Sequence, residues 1–244
     1  AIEDMVARRP AARRVVLIMP DQGPGAPPAR STPSSELPLP AWARALHVHG
    51  TPPPALVPRL VRVVESLAAR LTELVLRGIG LDGAATAAVA AALPNASATL
   101  RVLDLNSNRV NDAGAEAVAG VLPTLSDTLR VLDLGANSGI GDRGATAVLR
   151  AIPALGQVLR RLNLHGTGMA SGACLALAHA LPAMAVLEEL DVGYRSGMGA
   201  AESEAMAVAL PEGLRAVTMR GEFGARDPEA SARTAALWRG PPAP

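Results

Sequence analysis

The chain has 244 residues, a net charge of +1, 49% hydrophobic residues and only 2% aromatic residues. Near-neutral charge argues against a nucleic-acid or anionic-membrane partner, and so few aromatic rings leave no base-stacking surface. A single cysteine excludes an intrachain disulfide framework and fits a reducing compartment, the cytoplasm, while no apolar run approaches the ~20 residues of a membrane span.

In chain order, Met5–Arg14 is Arg-rich, but Glu3 and Asp4 stand beside it, which counts against a transit peptide. All 23 basic residues are Arg, read as coding bias before function. Ala1 rather than Met opens the chain, which leaves room for a longer parent protein. Residues 1–19 are expected to be an N-terminal cap strand, built on the apolar run Val15–Met19, or a disordered arm. Residues 20–41 carry seven prolines among Gly, Ser and Thr and predict a flexible segment. A weak strand–helix unit starts at Ala43, with Leu46 and Val48 as strand and Leu60–Ala69 as helix.

The unit is clearest in Leu100–Thr128. With Leu100 as position 0, Leu103 and Leu105 alternate with Val102, Asp104 and Asn106, the pattern of a short half-buried strand. Asn108 marks the turn, and Ala115, Val118, Val121 and Leu122 follow at helical spacing. Pro123 reads as the helix stop. The template recurs from Leu71, Leu129, Leu159, Leu187 and Leu214. Such self-similarity predicts stacked supersecondary units. Residues 42–221 are then one repeat domain. Residues 222–244 are expected to be a capping helix, opened by Asp227-Pro228 and closed near Trp238, with a frayed tail.

The motif LxxLxLxxN, a Gly-containing loop and an Ala/Leu helix resemble the leucine-rich repeat, in particular its long, ribonuclease-inhibitor-like class. The resemblance runs from about Ala43 to Met219. It implies an α/β solenoid of about six to seven repeats, with a curved parallel sheet on the concave side and helices on the convex side. One position departs from it. The +8 Asn, which in the family bonds backbone groups of neighbouring turns, survives as Asn108 and Asn137; Ile79, Thr167, Arg195 and Glu222 stand elsewhere. Water or a shifted turn is expected there, with a looser C-terminal end.

Several motifs suggest chemistry. Gly78–Gly83 and Gly139–Gly144 match the dinucleotide pattern GxGxxG after a strand and before a helix. The same loop recurs with fewer glycines in other units, so tight turns are the better reading. His47 and His49 share a strand face but lack further ligands for a metal. Cys174 and His179 lie five residues apart, a spacing that separates them on a helix, and Cys174 reads as core. No catalytic constellation, cofactor or metal site is expected.

The outward strand positions carry the functional reading. The +1 row contains Arg101, Arg130 and Arg160; the +2 stripe Glu73, Val102, Val131, Arg161 and Glu189; the +4 stripe Asp104, Asp133, Asn163 and Asp191. The expected partner-binding residues are Glu73, Arg101, Val102, Asp104, Arg130, Val131, Asp133, Arg161, Asn163, Glu189 and Asp191. An apolar centre with a charged border is a usual interface layout. The acids suggest a partner with basic and small apolar groups, and reversing Asp104 and Asp133 is expected to abolish its capture. The function expected is therefore a monomeric protein-interaction module without catalysis, binding a protein rather than nucleic acid or membrane. A second reading is a GTPase-activating regulator: Ran GTPase-activating proteins share this repeat class, and some activators insert an Arg into the active site. Arg77, Arg109 and Arg143 are available for that, though none matches the family's functional Arg by motif. A sensor segment of a larger immune-type or cytoskeletal protein is a third, on fold analogy alone.

Overall fold

The computed structural model describes residues 14–18, 43–50, 57–193, 205–206, 208–211 and 213–218. The Pro-rich segment, Trp42, Pro52–Pro54 and the expected C-terminal helix lie outside the described residues, as do Arg195 and Glu222.

Leucines at positions 0, +3 and +5 are inaccessible to solvent in every central repeat, so the backbone must bring them to one side. Leu100, Leu103, Leu105, Leu129, Leu132 and Leu134 are all 0% exposed. Eight strands result: β1 Arg14–Ile18, β2 Ala45–His49, β3 Glu73–Arg77, β4 Val102–Asp104, β5 Val131–Asp133, β6 Arg161–Asn163, β7 Glu189–Asp191 and β8 Ala216–Thr218. They form one parallel sheet in sequence order. Five helices alternate with them from β2 to β7: α1 Val57–Leu67, α2 Gly83–Ala92, α3 Asp112–Val121, α4 Asp142–Ala151 and α5 Ser171–Ala180. Each helix packs on the one before and after it. One hydrophobic cluster runs between sheet and helices from Ala43 to Val217.

The prolines do more than end helices. In α2 to α5 the α-helix closes on the residue before the apolar–Pro pair. The pair then opens a 3-10 turn: Leu93–Ala96, Leu122–Leu125, Ile152–Leu155 and Leu181–Ala183. Proline suits that place because its missing N–H is one the first turn leaves unbonded anyway. The first helix also begins earlier than its sequence suggested, at Val57, and passes into a 3-10 turn at Ala68.

The strand-to-helix turn is solved in two ways. Position +7 is left-handed in five consecutive repeats: Gly50, Gly78, Ser107, Ala136 and Gly166 have φ of 88°, 67°, 57°, 53° and 69°. Glycine takes this conformation without strain; Ser and Ala do not. The two non-glycine turns are the two followed by the +8 Asn. Asn108 accepts from the Ile79 and Leu81 N–H groups and donates to the Leu76 and Leu105 carbonyls. Asn137 accepts from Val110 N–H and donates to the carbonyls of Leu105, Leu134 and Gly135. Where Asn is missing, the turn closes otherwise. Thr167 donates its hydroxyl to Leu164 O at 2.8 Å, and Gly168 N–H reaches Ile140 O directly at 2.6 Å.

Candidate functional site

Parallel pairing without a register slip turns sequence positions into columns. Ala45, Glu73, Val102, Val131, Arg161, Glu189 and Ala216 align across β2 to β8, as do His47, Val75, Asp104, Asp133, Asn163, Asp191 and Thr218. The intervening Leu column points into the core, so both outward columns share the face opposite the helices. The pairing extends to the +1 row: the N–H groups of Arg101, Arg130, Arg160 and Glu188 donate to the carbonyls of Thr72, Arg101, Arg130 and Arg160, each at 2.8 Å.

A groove of about 570 Å³ lies along this face. Seven of the residues selected from the sequence line it: Glu73, Arg101, Val102, Arg130, Val131, Arg161 and Glu189. Thr72, Arg160 and Glu188 line it too, although the selection passed them over; their +1 position was the available signal. Asp104, Asp133, Asn163 and Asp191 do not line it.

Those four residues are occupied by the fold. Each accepts from the backbone N–H two residues on: Asp104 from Asn106, Asp133 from Gly135, Asn163 from His165 and Asp191 from Gly193, at 2.8 to 2.9 Å. These Asx turns end the strand and start the loop. Arg77 then spans both central acids, with its Nη2 3.0 Å from Asp104 and 3.2 Å from Asp133. Asn106 donates to Asp133 as well, at 2.9 Å, and Asp133 is only 8% exposed. The acidic centre expected from the sequence is therefore partly offset within the chain, one guanidinium standing against two carboxylates, and reversing Asp133 would disturb its own turn.

The C-terminal part of the groove is also internally paired. Arg161 meets Glu189 at 2.7 Å, and Arg160 contacts Glu188. At the other end His47 faces Glu73 at 3.0 Å. His47 and His49 rings meet edge-on, 6.2 Å apart. Among the described residues no group of three His, Cys, Asp or Glu could hold a metal ion. Cys174 is buried in α5 while His179 is exposed, so the two do not form a nucleophile–base pair. Gly78 serves the left-handed +7 turn, and Gly144 sits where a Cβ would lie 2.6 Å from an Asp112 oxygen. Gly78 in the first apparent dinucleotide motif thus has a conformational cause, and Gly144 in the second a packing cause. Of the three arginines considered for GTPase activation, Arg77 is engaged as above and Arg143 pairs with Glu116 at 2.8 Å; Arg109 is exposed. No described helix is long and apolar enough to cross a membrane.

Strands in one parallel file, helices in a second, and leucines between them at a fixed interval define a solenoid of stacked repeats. The family model for the leucine-rich repeat matches residues 96–119 and 126–149, the units around β4 and β5. The matched units and the fold they sit in are those of a leucine-rich repeat solenoid, and repeats of this family generally mediate protein–protein interaction. No curated protein matches the chain.

Proposed function

We propose that the chain is a protein-binding module whose partner lies along the concave face, and that it catalyses no reaction of its own. The observation that carries this is the unbroken register from β2 to β8. It sets Val102 and Val131 side by side in a groove bordered by Arg and Glu, the apolar-centre, polar-rim layout of protein interfaces. Glu73, Arg101, Arg130, Arg161 and Glu189 form the border in this reading. Asp104, Asp133, Asn163 and Asp191 shape the floor's far edge rather than meet the partner first. The repeats belong, in our reading, to the ribonuclease-inhibitor-like class, because each central unit holds a complete ten-residue α-helix. A single cysteine fits the cytoplasm, and sparse aromatics and near-neutral charge favour a protein over a nucleic acid as partner; the chain acts as a monomer in this reading.

A photo-crosslinking side chain placed at Val131 tests the face, with the same group at Leu175 on α5 as control; Leu175 is 45% exposed. Crosslinks to a protein from native extract should form at position 131 and be absent at 175. Crosslinks from 175 alone would move the interface to the helices.

A further inference from the structure

The charges along the groove do not cancel. Arg101, Arg130, Arg160 and Arg161 face Glu73, Glu188 and Glu189. Glu188 is engaged with Arg160, Glu189 with Arg161, and Glu73 with His47. Beyond the groove, Arg77 pairs with both Asp104 and Asp133, whose other oxygens take turn amides, so one net negative charge stays outside the groove. Arg101 and Arg130 remain: among the described residues neither has an acidic group within ion-pair distance. They sit on adjacent strands, and Arg130 N–H donates to Arg101 O at 2.8 Å, so their stems start ~4.8 Å apart. Two cations at that spacing repel each other, and the fold supplies no anion between them. Val102 and Val131 lie immediately beside them, half-buried.

We infer that the concave face takes an acidic segment of its partner protein. Two carboxylates meet Arg101 and Arg130, and a small apolar residue covers Val102 and Val131. Guanidinium groups suit this because their planar fork binds a carboxylate through two hydrogen bonds. Complementary charge also steers encounter and excludes basic competitors. A nucleic acid carries anions as well, but the groove has no aromatic ring on which a base would stack. Two unpaired cations are also fewer than a phosphate track requires. The inference rests on the concave-face reading and gives the groove a polarity opposite to that of the Asp row beside it.

The test is selection of a displayed random octapeptide library on the full chain, on Arg101→Glu/Arg130→Glu and on Val131→Trp. The wild type should enrich peptides with paired Asp or Glu around Ala or Val, held about tenfold more weakly by the charge-reversed variant. That variant should instead enrich Lys and Arg. Binding of the selected peptides should weaken as salt rises from about 0.05 M to about 0.5 M. Enrichment of basic peptides on the wild type, no charge bias, or no enriched peptide would each overturn the inference. So would an oligonucleotide of equal charge that binds as tightly as the peptide and displaces it. Circular dichroism of both variants checks that the array stays folded. If peptides are lost on Val131→Trp but unchanged by charge reversal, the concave face stands as the binding site and the acidic-partner inference falls.

Discussion

Backbone strain at Ala136 and side-chain bonding at Asn137 belong to one device. Ala136 has φ 53°, which costs an L-residue about 1–2 kcal/mol, and such strain persists only where neighbours over-determine it. Asn137 does so with four hydrogen bonds to its own turn and the one before it, fully buried. Asn137→Ala leaves several buried backbone groups without partners and should cost about 3 kcal/mol or more, read by urea unfolding. In an Ala136→Gly background the turn no longer needs holding, so the same substitution should cost measurably less. Simple additivity of the two changes would separate strain from the amide. The sequence displays the Asn of this device but not its strain. Glycine at Gly78 or Gly166 advertises a left-handed turn; Ala136 in the same conformation looks like any alanine.

Helix N-termini show the same dependence on a neighbour one level up. Asp82 caps α2 by accepting from Ala85 N–H, and Asn111 caps α3 through Gly114 N–H. Helices α4 and α5 start behind Gly141 and Ala170, which have no side chain to do this. The preceding repeat supplies it. Asp112 accepts from Gly141 and Gly144 N–H at 2.7 and 2.9 Å, and Asp142 from Ala170 and Ala173 N–H at 2.9 and 2.7 Å. A carboxylate there satisfies two orphan donors and meets the positive end of the helix dipole. Asp112→Ala should therefore cost about 1–2 kcal/mol. Hydrogen exchange should quicken at Gly141, the N-cap of α4, and at Gly144 in its first turn, while α3 keeps its own Asn111 cap; exchange rising only in α3 would refute the inter-repeat cap. Gly144 makes the approach feasible, since an added Cβ would lie 2.8 Å from Asp112 Cα. Gly144→Ala should destabilise by about 1–3 kcal/mol. Gly120→Ala, in α3 with nothing within 4 Å of its Cβ, should stabilise by about 0.5–1 kcal/mol in the same denaturation assay. No sequence window shorter than a full repeat could reveal these caps, because donor and acceptor lie 28 to 32 residues apart.

Across the whole molecule, the period that made the columns legible also sets how the array comes apart. Leucine spacing alone predicted the sheet register and the outward stripes, because a fixed interval leaves parallel strands one way to align their apolar sides. The charge state of the face was not legible in the same way. Arg77 belongs to one repeat and reaches acids of the next two, and adjacency of that kind exists only after stacking. Contacts run from each repeat to its neighbours, so stability approximates a sum over adjacent interfaces. Leu134→Ala removes side-chain volume from the centre of the +5 column, where Leu105, Leu134 and Leu164 are at most 1% exposed, and should cost about 2–5 kcal/mol. In a nearest-neighbour array that loss is felt first by the units it touches. Native-state hydrogen exchange should therefore lose protection in β4 to β6 and their helices before α1 and β3 change. Uniform loss from β3 to β7 would instead mark one cooperative unit, and the repeat-by-repeat description of its stability would fail.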